Sequence, residues 1–273
     1  MENIKSSIVE LLIKRGMEPS KAKNVGETIQ HDIENVDPPR IALIGLTGVG
    51  KSSTINALFN AGQPIDNVCA CTQEANEING DVSKYTGSKG SIIIYDMPGL
   101  GESISRDKQH YETYSKVIPK VDAIVWILHA SDRSMEPMQR ALMSLSNEHK
   151  GFDKKLMFAI NKADATHPGE TFWKSEINVP SKEQTENINK FEEYVKSHIH
   201  EVLPKWNGDI ITYSAKKRYR LDQLILAMIK VMPKDRAWVL EDRADVADYI
   251  EFIDKKYIDM ISKHDWYNCF RHL

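Results

Sequence analysis

The residues from Gly45 to Ser52 read Gly-Leu-Thr-Gly-Val-Gly-Lys-Ser and combine a flexible backbone with a cation and a hydroxyl group. They follow the apolar run 41–44 and precede a predicted helix over 53–60. Glycine takes positive φ without steric cost, so successive backbone N–H groups of such a turn can surround an oxyanion. The N-terminus of the following helix adds N–H groups and a positive dipole end. This order predicts a phosphate-binding P-loop, and the alternative is a chance match in an ordinary strand-to-helix turn.

Two side chains of this P-loop are suited to a nucleotide polyphosphate. We expect Lys51 to reach the β- and γ-phosphates and the Ser52 hydroxyl to bind Mg²⁺. The motif also predicts nucleotide contacts from its other residues and from the residue after it, namely Thr47, Gly48, Val49, Gly50 and Ser53.

The sequence Asn161-Lys162-Ala163-Asp164 indicates which base is bound. It follows an apolar strand predicted over 156–160. The Asp164 carboxylate can accept hydrogen bonds from guanine N1–H and from the guanine 2-amino group, whereas adenine offers no such pair of donors. We expect Asn161 to hold this loop and contact the purine edge, and the Lys162 stem to lie along the base. Without the P-loop, this motif would equally describe an ordinary polar surface loop.

The tripeptide Ser214-Ala215-Lys216 follows the strand predicted over 210–213. Its Ala215 backbone N–H could donate to guanine O6. Alone the tripeptide carries little information, but in this position it completes a predicted pocket for the base.

Asp96 ends a predicted strand over 91–96 and begins the sequence Asp-Met-Pro-Gly. We expect Asp96 to hold Mg²⁺ through water and the Gly99 N–H to meet the γ-phosphate. Thr72, about twenty residues after Ser52, is the candidate switch hydroxyl that binds Mg²⁺ only when the γ-phosphate is present. Thr72 could also be an ordinary loop threonine. The cysteines on either side of it, at positions 69 and 71, are better explained as small buried side chains than as a metal or redox site.

Alternating strands and helices must position these motifs. The predicted strands are 41–45, 74–81, 91–96, 122–128, 156–160 and 210–213, and the predicted helices are 52–60, 106–118, 136–148, 182–202 and 221–231. Several strands are apolar without alternation, which is typical of strands buried on both faces by helices. The sequence therefore predicts an α/β fold with a six-stranded, mostly parallel sheet, helices on both faces and the ligand at the carboxyl ends of the strands.

Helical segments flank this α/β domain. Apolar stripes predict two short helices within 2–35 and one long amphipathic helix after Pro233. We expect three parts: an N-terminal helical extension over 1–37, the nucleotide-binding domain over 38–232 and a C-terminal helix over 233–273. The terminal helices could pack on the domain or meet a partner. The long connection 163–181 could likewise be held by Phe172 and Trp173 or contact a partner.

Composition favours a cytoplasmic protein. The chain has 273 residues and a formal charge of -3, a balance that favours neither DNA nor an anionic membrane surface. Its three cysteines match no disulfide or zinc pattern, which suits a reducing compartment. No signal peptide or spanning helix is predicted. The sequence lacks a recognisable basic RNA-binding module, so no RNA contact is expected. Carboxylates slightly outnumber basic groups in the C-terminal segment, which disfavours a membrane-surface helix.

Taken in order, the five motifs resemble those of the translation-factor-related GTPases, and the Asp-x-Pro-Gly form resembles the Era-like branch. The stretches 97–103 and 125–133 resemble the bacterial YfjP-type, prophage-associated GTPases. The resemblance covers about 40–232 and implies a Ras-like G domain that hydrolyses GTP to GDP and phosphate with Mg²⁺.

The same resemblance bears on catalysis. It gives catalytic roles to Lys51, Thr72 and Gly99, but Leu100 occupies the position where Ras-type enzymes carry a glutamine that orients water. Gly48 stands where potassium-activated relatives carry asparagine. We therefore expect slow turnover without potassium activation, in a switch protein with a protein effector that the sequence does not identify. The alternative is a GTP-dependent assembly module, similar to dynamin-like or interferon-inducible GTPases, in which hydrolysis follows homodimer formation.

Overall fold

The computed structural model describes residues 9–10, 12–14, 16–34, 37–59, 61–62, 75–86, 91–101, 103–132 and 134–237. The predicted positions of Thr72, the two cysteines beside it and most of the C-terminal helix lie outside these residues. The chain forms two compact units, with the described residues up to Asp37 in one and those from Pro38 onward in the other. None of the described helices is long and apolar enough to cross a membrane.

The described part of the first unit is helical, as predicted. Helix α1 spans Pro19–Glu34 and begins at a proline, whose missing N–H is not needed in the first turn of a helix. Its predicted apolar stripe begins with Ala22 and Val25, which are both buried. Residues 9–10 and 12–14 are also helical, and Leu12 is buried.

The second unit is built on one six-stranded sheet. Its strands are β1 (Arg40–Gly45), β2 (Asn76–Asp81), β3 (Ser91–Asp96), β4 (Ala123–His129), β5 (Leu156–Asn161) and β6 (Ile210–Thr212). The strand order is β2-β3-β1-β4-β5-β6, and only the β2–β3 pair is antiparallel. The predicted doubly wound, mostly parallel sheet is confirmed, and the strand bounds agree with the predicted ones within two residues.

Helices cover both faces of this sheet. They are α2 (Lys51–Phe59), α3 (Ser83–Thr86), α4 (Ile104–Val117), α5 (Glu136–Glu148), α6 (Lys182–Val202), α7 (Leu221–Val231) and α8 (Lys234–Ala237). The sequence predicts five of them, but not the short helices α3 and α8. Helix α4 begins two residues before its predicted start because the Ser103 side chain caps it, accepting a hydrogen bond from the Arg106 N–H.

Strand β1 shows why the central strands are continuously apolar. Ile41 and Leu43 point into a core shared with α2 and α7, whereas Ala42 and Ile44 point into the opposite core, shared with α4, α5 and α6. All four side chains are fully buried. Successive residues of a strand face opposite sides, so a strand with helices on both sides needs apolar residues at every position.

The connection from Ala163 to Ser181 has structure of its own. It contains two short 3-10 turns, Ala163–Ala165 and Glu170–Phe172, and a small antiparallel bridge between Lys174 and Val179. Trp173 is 5% exposed, whereas Phe172 is 55% exposed. Only one of the two aromatic residues therefore holds the connection to the domain.

The sheet brings the predicted motifs to one edge. Strands β1, β3, β5 and β6 lie parallel to one another, so their carboxyl ends lie at the same side of the domain. The P-loop, Asp96, Asn161 and Ser214 each come at or directly after one of these ends. Ligands of doubly wound sheets bind at this edge.

Candidate nucleotide-binding site

The P-loop between β1 and α2 depends on its glycines. Gly45, Gly48 and Gly50 have φ values of +147°, +82° and +94°, which side chains with a Cβ rarely adopt. Two of them also lack space for a side chain. A Cβ on Gly45 would lie 2.3 Å from the Ile127 carbonyl oxygen, and a Cβ on Gly50 would lie 2.5 Å from Asn161 Nδ2. The loop is therefore tightly packed against β4 and β5.

The Lys51 side chain of the P-loop is buried against the backbone of the loop. Lys51 is 7% exposed, and its Nζ donates long hydrogen bonds to the carbonyl oxygens of Gly45, at 3.4 Å, and Leu46, at 3.3 Å. An ammonium group can exchange long carbonyl contacts of this kind for phosphate oxygens, which carry more negative charge and bind it more strongly.

Ser52 and Asp96 form a pair of oxygen ligands. Ser52 Oγ donates to Asp96 Oδ2 at 2.7 Å, and Asp96 is 1% exposed at the end of β3. Mg²⁺ in nucleotide sites prefers hydroxyl, carboxylate and phosphate oxygens. The donor set therefore fits this ion. No described group of three or more His, Cys, Asp or Glu side chains could form a metal site from protein carboxylate, imidazole and thiolate alone.

Asn161 connects the P-loop to the loop that contains Ala215. Its Nδ2 donates to the Val49 carbonyl at 3.0 Å, and its Oδ1 accepts from the Lys162 N–H at 2.7 Å and the Ala215 N–H at 3.1 Å. The predicted role of Asn161 in holding its loop matches this geometry. The Ala215 N–H, predicted to meet guanine O6, is directed at Asn161 Oδ1, so a bond to the base would require this proton to be shared.

Asp164 and Ser214 lie side by side at the ends of β5 and β6. Ser214 Oγ donates to Asp164 Oδ1 at 2.5 Å, and Asp164 is 3% exposed. Lys162 adopts the left-handed conformation, with φ of 65°, and its Nζ donates to the Gly48 carbonyl at 3.2 Å. We call the segments 161–164 and 214–217 the two base loops. They and the P-loop form one hydrogen-bonded unit.

The segment after Asp96 packs closely on the P-loop. The Thr47 N–H donates to the Leu100 carbonyl at 2.9 Å, and the Leu100 N–H donates to the Gly45 carbonyl at 3.1 Å. A Cβ on Gly99 would lie 2.4 Å from Thr47 Oγ1 and 2.7 Å from Thr47 Cα, so this contact requires glycine. The Leu100 side chain is 2% exposed and belongs to the core, where it cannot orient a water molecule.

Charged groups at the rim of the site shift each other's titration. Hydrogen bonds from Lys216 and Lys217 lower the pKa of Glu170 to about 2, and Glu170 in turn raises the pKa of Lys216. These groups are exposed, so solvent screens the interaction.

Burial, followed by the charge of Lys162, lowers the pKa of His129 at the end of β4. His129 is therefore held neutral near the base loops at neutral pH.

The structure brings together every described residue of the predicted site. The P-loop residues 47–53, Asp96, Gly99, Asn161, Lys162, Asp164, Ser214, Ala215 and Lys216 all lie at the carboxyl edge of the sheet. Thr72 lies outside the described residues, so its role stays a prediction. The roles of the other residues in binding nucleotide also stay predictions.

Sequence reasoning missed several residues that support this edge. Gln184, Asn178 and Glu170 all contact the base loops, and Tyr213 donates to or accepts from the buried Thr54 hydroxyl at 2.6 Å. Only Gln184 had a signal in the sequence, because Ser181-x-x-Gln184 has the spacing of a capping box. The other contacts join residues far apart in the chain.

Comparison with known proteins agrees with this geometry. The chain is 29% identical over 199 residues to YfjP of Escherichia coli (strain K12), covering 72% of this chain and 63% of YfjP. It is 35% identical over 133 residues to YkfA of the same strain, covering 48% of this chain and 43% of YkfA. The chain thus spans less than two thirds of the length of these relatives.

Solved structures share the fold. Aquifex aeolicus Era bound to GDP and AlF4- superposes with a TM-score of 0.54 at 21% identity, covering 72% of this chain and 58% of that chain. The chloroplast translocon GTPase components atToc33 and psToc159 give a TM-score of 0.53 at 15% identity, covering 81% and 88%. At these identities the likeness establishes the Ras-like fold alone.

The family comparison supplies the remaining evidence. Residues 40–162, from the first residue of β1 to the Lys162 of the first base loop, match the family model described as 50S ribosome-binding GTPase. This match contains the P-loop and the Asp96 segment. Over residues 40–162 the chain is therefore similar to this GTPase family, and its six-stranded sheet has the Ras-like fold.

Proposed function

We propose that this protein binds GTP and Mg²⁺ at the carboxyl edge of its sheet and acts as a slow switch between a GTP and a GDP state. One observation carries the proposal. Asn161 joins the P-loop, through Val49, to the second base loop, through Ala215, and Ser214 of that loop donates to the Asp164 carboxylate. A nucleotide held at both ends requires such a fixed spacing between its phosphate and base pockets.

The base pocket selects guanine through Asp164. This carboxylate is 3% exposed, so a base that gives it no hydrogen-bond donors would leave a buried anion poorly compensated. Guanine presents N1–H and the 2-amino group along one edge, and both can donate to a carboxylate. Adenine has an acceptor at N1, so its binding is disfavoured.

The phosphate pocket uses the P-loop N–H groups and Lys51. Mg²⁺ is held by Ser52 and Asp96, together with Thr72 in the GTP state. When bound, the ion neutralises charge on the β- and γ-phosphate oxygens. Lys51 stabilises the same negative charge, and the Gly99 N–H donates to the γ-phosphate, so these two residues and Thr72 are the proposed catalytic groups.

Turnover is slow because Leu100 is buried away from the site and brings no polar atom of its side chain to the γ-phosphate. GTPases that lack the glutamine need a group from elsewhere to orient the attacking water. In the proposed cycle, a protein effector or a second copy of the chain provides this group. The dimerisation described for the Toc components makes a homodimer the alternative to test, in which assembly precedes hydrolysis.

Asp164→Asn tests the base assignment. An amide accepts from xanthine N1–H through its oxygen and donates to xanthine O2 through its nitrogen, so we expect preference to move from GTP to XTP. Affinity should change by about tenfold or more in each direction. Lys51→Ala should abolish turnover with either nucleotide. An unchanged GTP preference in Asp164→Asn would overturn the assignment.

Turnover per protomer, measured as protein concentration rises, separates the switch from the assembly module. A flat, slow rate supports a monomeric switch. A rate that rises with concentration supports a dimer whose protomers complete each other's sites. Preference for ATP over GTP in the unmodified protein would refute both.

A further inference from the structure

Strained backbone is concentrated around the base loops. Among the residues that the structure describes, four other than glycine have positive φ: Lys162 at 65°, Asn178 at 51°, Arg218 at 53° and Arg220 at 55°. They lie in the first base loop, in the connection 163–181, and just after the second base loop. Such conformations persist only where surrounding contacts hold them. The contacts around the pocket therefore maintain a backbone that would otherwise relax.

Gln184 holds the first base loop from behind. It lies in the first turn of α6 and is fully buried. Its Nε2 shares two protons among the carbonyl oxygens of Asp164 at 3.2 Å, Thr166 at 3.3 Å and Gly169 at 3.1 Å. Its Oε1 accepts from the Ser181 N–H at 3.0 Å, which fixes the orientation of the amide. One side chain therefore gathers three carbonyls of the loop that contains Asp164.

Asn178 holds the second base loop. Its Oδ1 accepts from the Trp173 indole N–H at 3.1 Å, and its Nδ2 donates to the Lys217 carbonyl at 3.0 Å. Trp173 in turn packs edge-on against Tyr219, with ring centroids 5.1 Å apart. Asparagine suits this position because its short amide tolerates the left-handed conformation better than most side chains.

These contacts converge on the Asp164 carboxylate. The Lys217 N–H donates to Ser214 Oγ at 3.0 Å, and Ser214 Oγ donates to Asp164 Oδ1 at 2.5 Å. Asn178 thus acts on the Asp164 carboxylate through the second base loop, whereas Gln184 acts on it through the backbone carbonyl of Asp164. The two residues therefore act on the carboxylate through different segments of the chain.

We propose that Gln184 and Asn178 are positioning residues that set the Asp164 carboxylate and thereby determine how strongly the site prefers guanine over hypoxanthine. This inference rests on the proposed guanine specificity. Neither side chain is expected to touch the nucleotide. Hypoxanthine lacks the 2-amino group but keeps N1–H, so the difference in affinity between GDP and IDP reports on the second hydrogen bond to Asp164. That bond is sensitive to small displacements of the carboxylate.

Two substitutions separate positioning from general stability. Gln184→Leu removes the amide donors and puts an apolar side chain of similar size in their place. Asn178→Asp keeps the acceptor for Trp173 and the tolerance of positive φ, but removes the donor to the Lys217 carbonyl. The matched control is Asn187→Ala, because Asn187 lies one turn along α6 and donates to the His167 carbonyl at 3.0 Å in the same connection.

Dissociation constants for GDP and IDP should be measured on the full chain, together with thermal unfolding. In each test variant we expect GDP affinity to fall about tenfold, with IDP affinity changing less than about twofold, since only the second bond to the carboxylate is weakened. Asn187→Ala should leave the GDP-to-IDP ratio unchanged.

An equal loss of affinity for GDP and IDP, or a lower unfolding temperature with an unchanged ratio, would show that these residues are merely structural and would overturn the inference. If Gln184→Leu fails to fold, the exposed Asn178→Asp variant still provides the test. The proposed function fails separately, if the unmodified protein binds ADP as well as GDP.

Discussion

Asn161→Ala should destabilise the protein even when no nucleotide is bound. Asn161 is 1% exposed and makes three hydrogen bonds, to the Val49 carbonyl, the Lys162 N–H and the Ala215 N–H. These bonds join the P-loop to both base loops. If they exist in the nucleotide-free protein, their removal must lower the free energy of unfolding.

The expected size follows from the groups left behind. Each buried backbone group that loses its partner costs about 1–3 kcal/mol, and the Val49 carbonyl and the Ala215 N–H are buried. Lys162 N–H is partly buried and recovers part of its loss from water. We therefore expect a loss of about 3–5 kcal/mol, a large fraction of the roughly 5–15 kcal/mol that stabilises a typical domain.

Asn161→Asp isolates the Val49 bond. It keeps an oxygen for both N–H donors but replaces the Nδ2 donor with an oxygen that faces the Val49 carbonyl. We expect a loss of about 2–4 kcal/mol at neutral pH, from the lost bond and the buried charge. Protonation would restore a donor, so the loss should shrink as pH falls.

Urea unfolding in the presence of EDTA and absence of nucleotide, followed by circular dichroism, measures both variants, with Asn187→Ala as the control. The control amide makes one exposed bond, so its change should stay within about 0.5 kcal/mol. A loss below about 1 kcal/mol in Asn161→Ala would mean that the Asn161 bonds between the P-loop and the base loops do not form without nucleotide. The site would then not be assembled before the nucleotide binds.

Three further outcomes follow from the same edge of the sheet. Gly50→Ala introduces a Cβ 2.5 Å from Asn161 Nδ2 at φ of +94°, so urea unfolding should show a loss of at least about 1–3 kcal/mol together with weak GDP binding. Thr54→Val leaves the buried Tyr213 hydroxyl without its described partner, so in the same assay it should lower the free energy of unfolding by about 1–3 kcal/mol. Tyr213→Phe leaves Thr54 its bond to the Gly50 carbonyl, so its loss should stay below about 1 kcal/mol. Burial lowers the pKa of His129 below 6.5, so the unfolded state binds the proton first as pH falls. The free energy of unfolding is therefore highest above about pH 6.5 and decreases below it, and His129→Gln should flatten this part of a pH series.

The sheet and the motif positions could be predicted because their signals are local. The apolar runs of β4 and β5 are buried at every residue except His129, which sits at the end of β4. Each predicted motif follows a strand, and parallel strands bring their carboxyl ends together.

The supports of the base loops could not be predicted, because they join residues that are distant in the sequence. Nothing near Asn178 indicates a bond to the Lys217 carbonyl, 39 residues away. The aromatic pair in the connection 163–181 shows the same limit. Phe172 and Trp173 are both large aromatic residues, but only Trp173 has an indole N–H that donates to Asn178 Oδ1, and only Trp173 is buried.

The two halves of the site differ in how they are held, and this difference predicts where the proposed switch lies. The base loops are fixed by side-chain hydrogen bonds. The Asn161 Nδ2 donates to Val49, the Asn161 Oδ1 accepts from Ala215, and Ser214 donates to Asp164. In the phosphate half, the Lys51 and Ser52 side chains make bonds that a phosphate or a metal ion would replace, namely the long Lys51 contacts and the Ser52–Asp96 bond. A ligand shifts a conformational equilibrium only through groups whose contacts differ between states. Nucleotide state should therefore be transmitted from Asp96 through the backbone of Leu100, while the base loops remain unchanged.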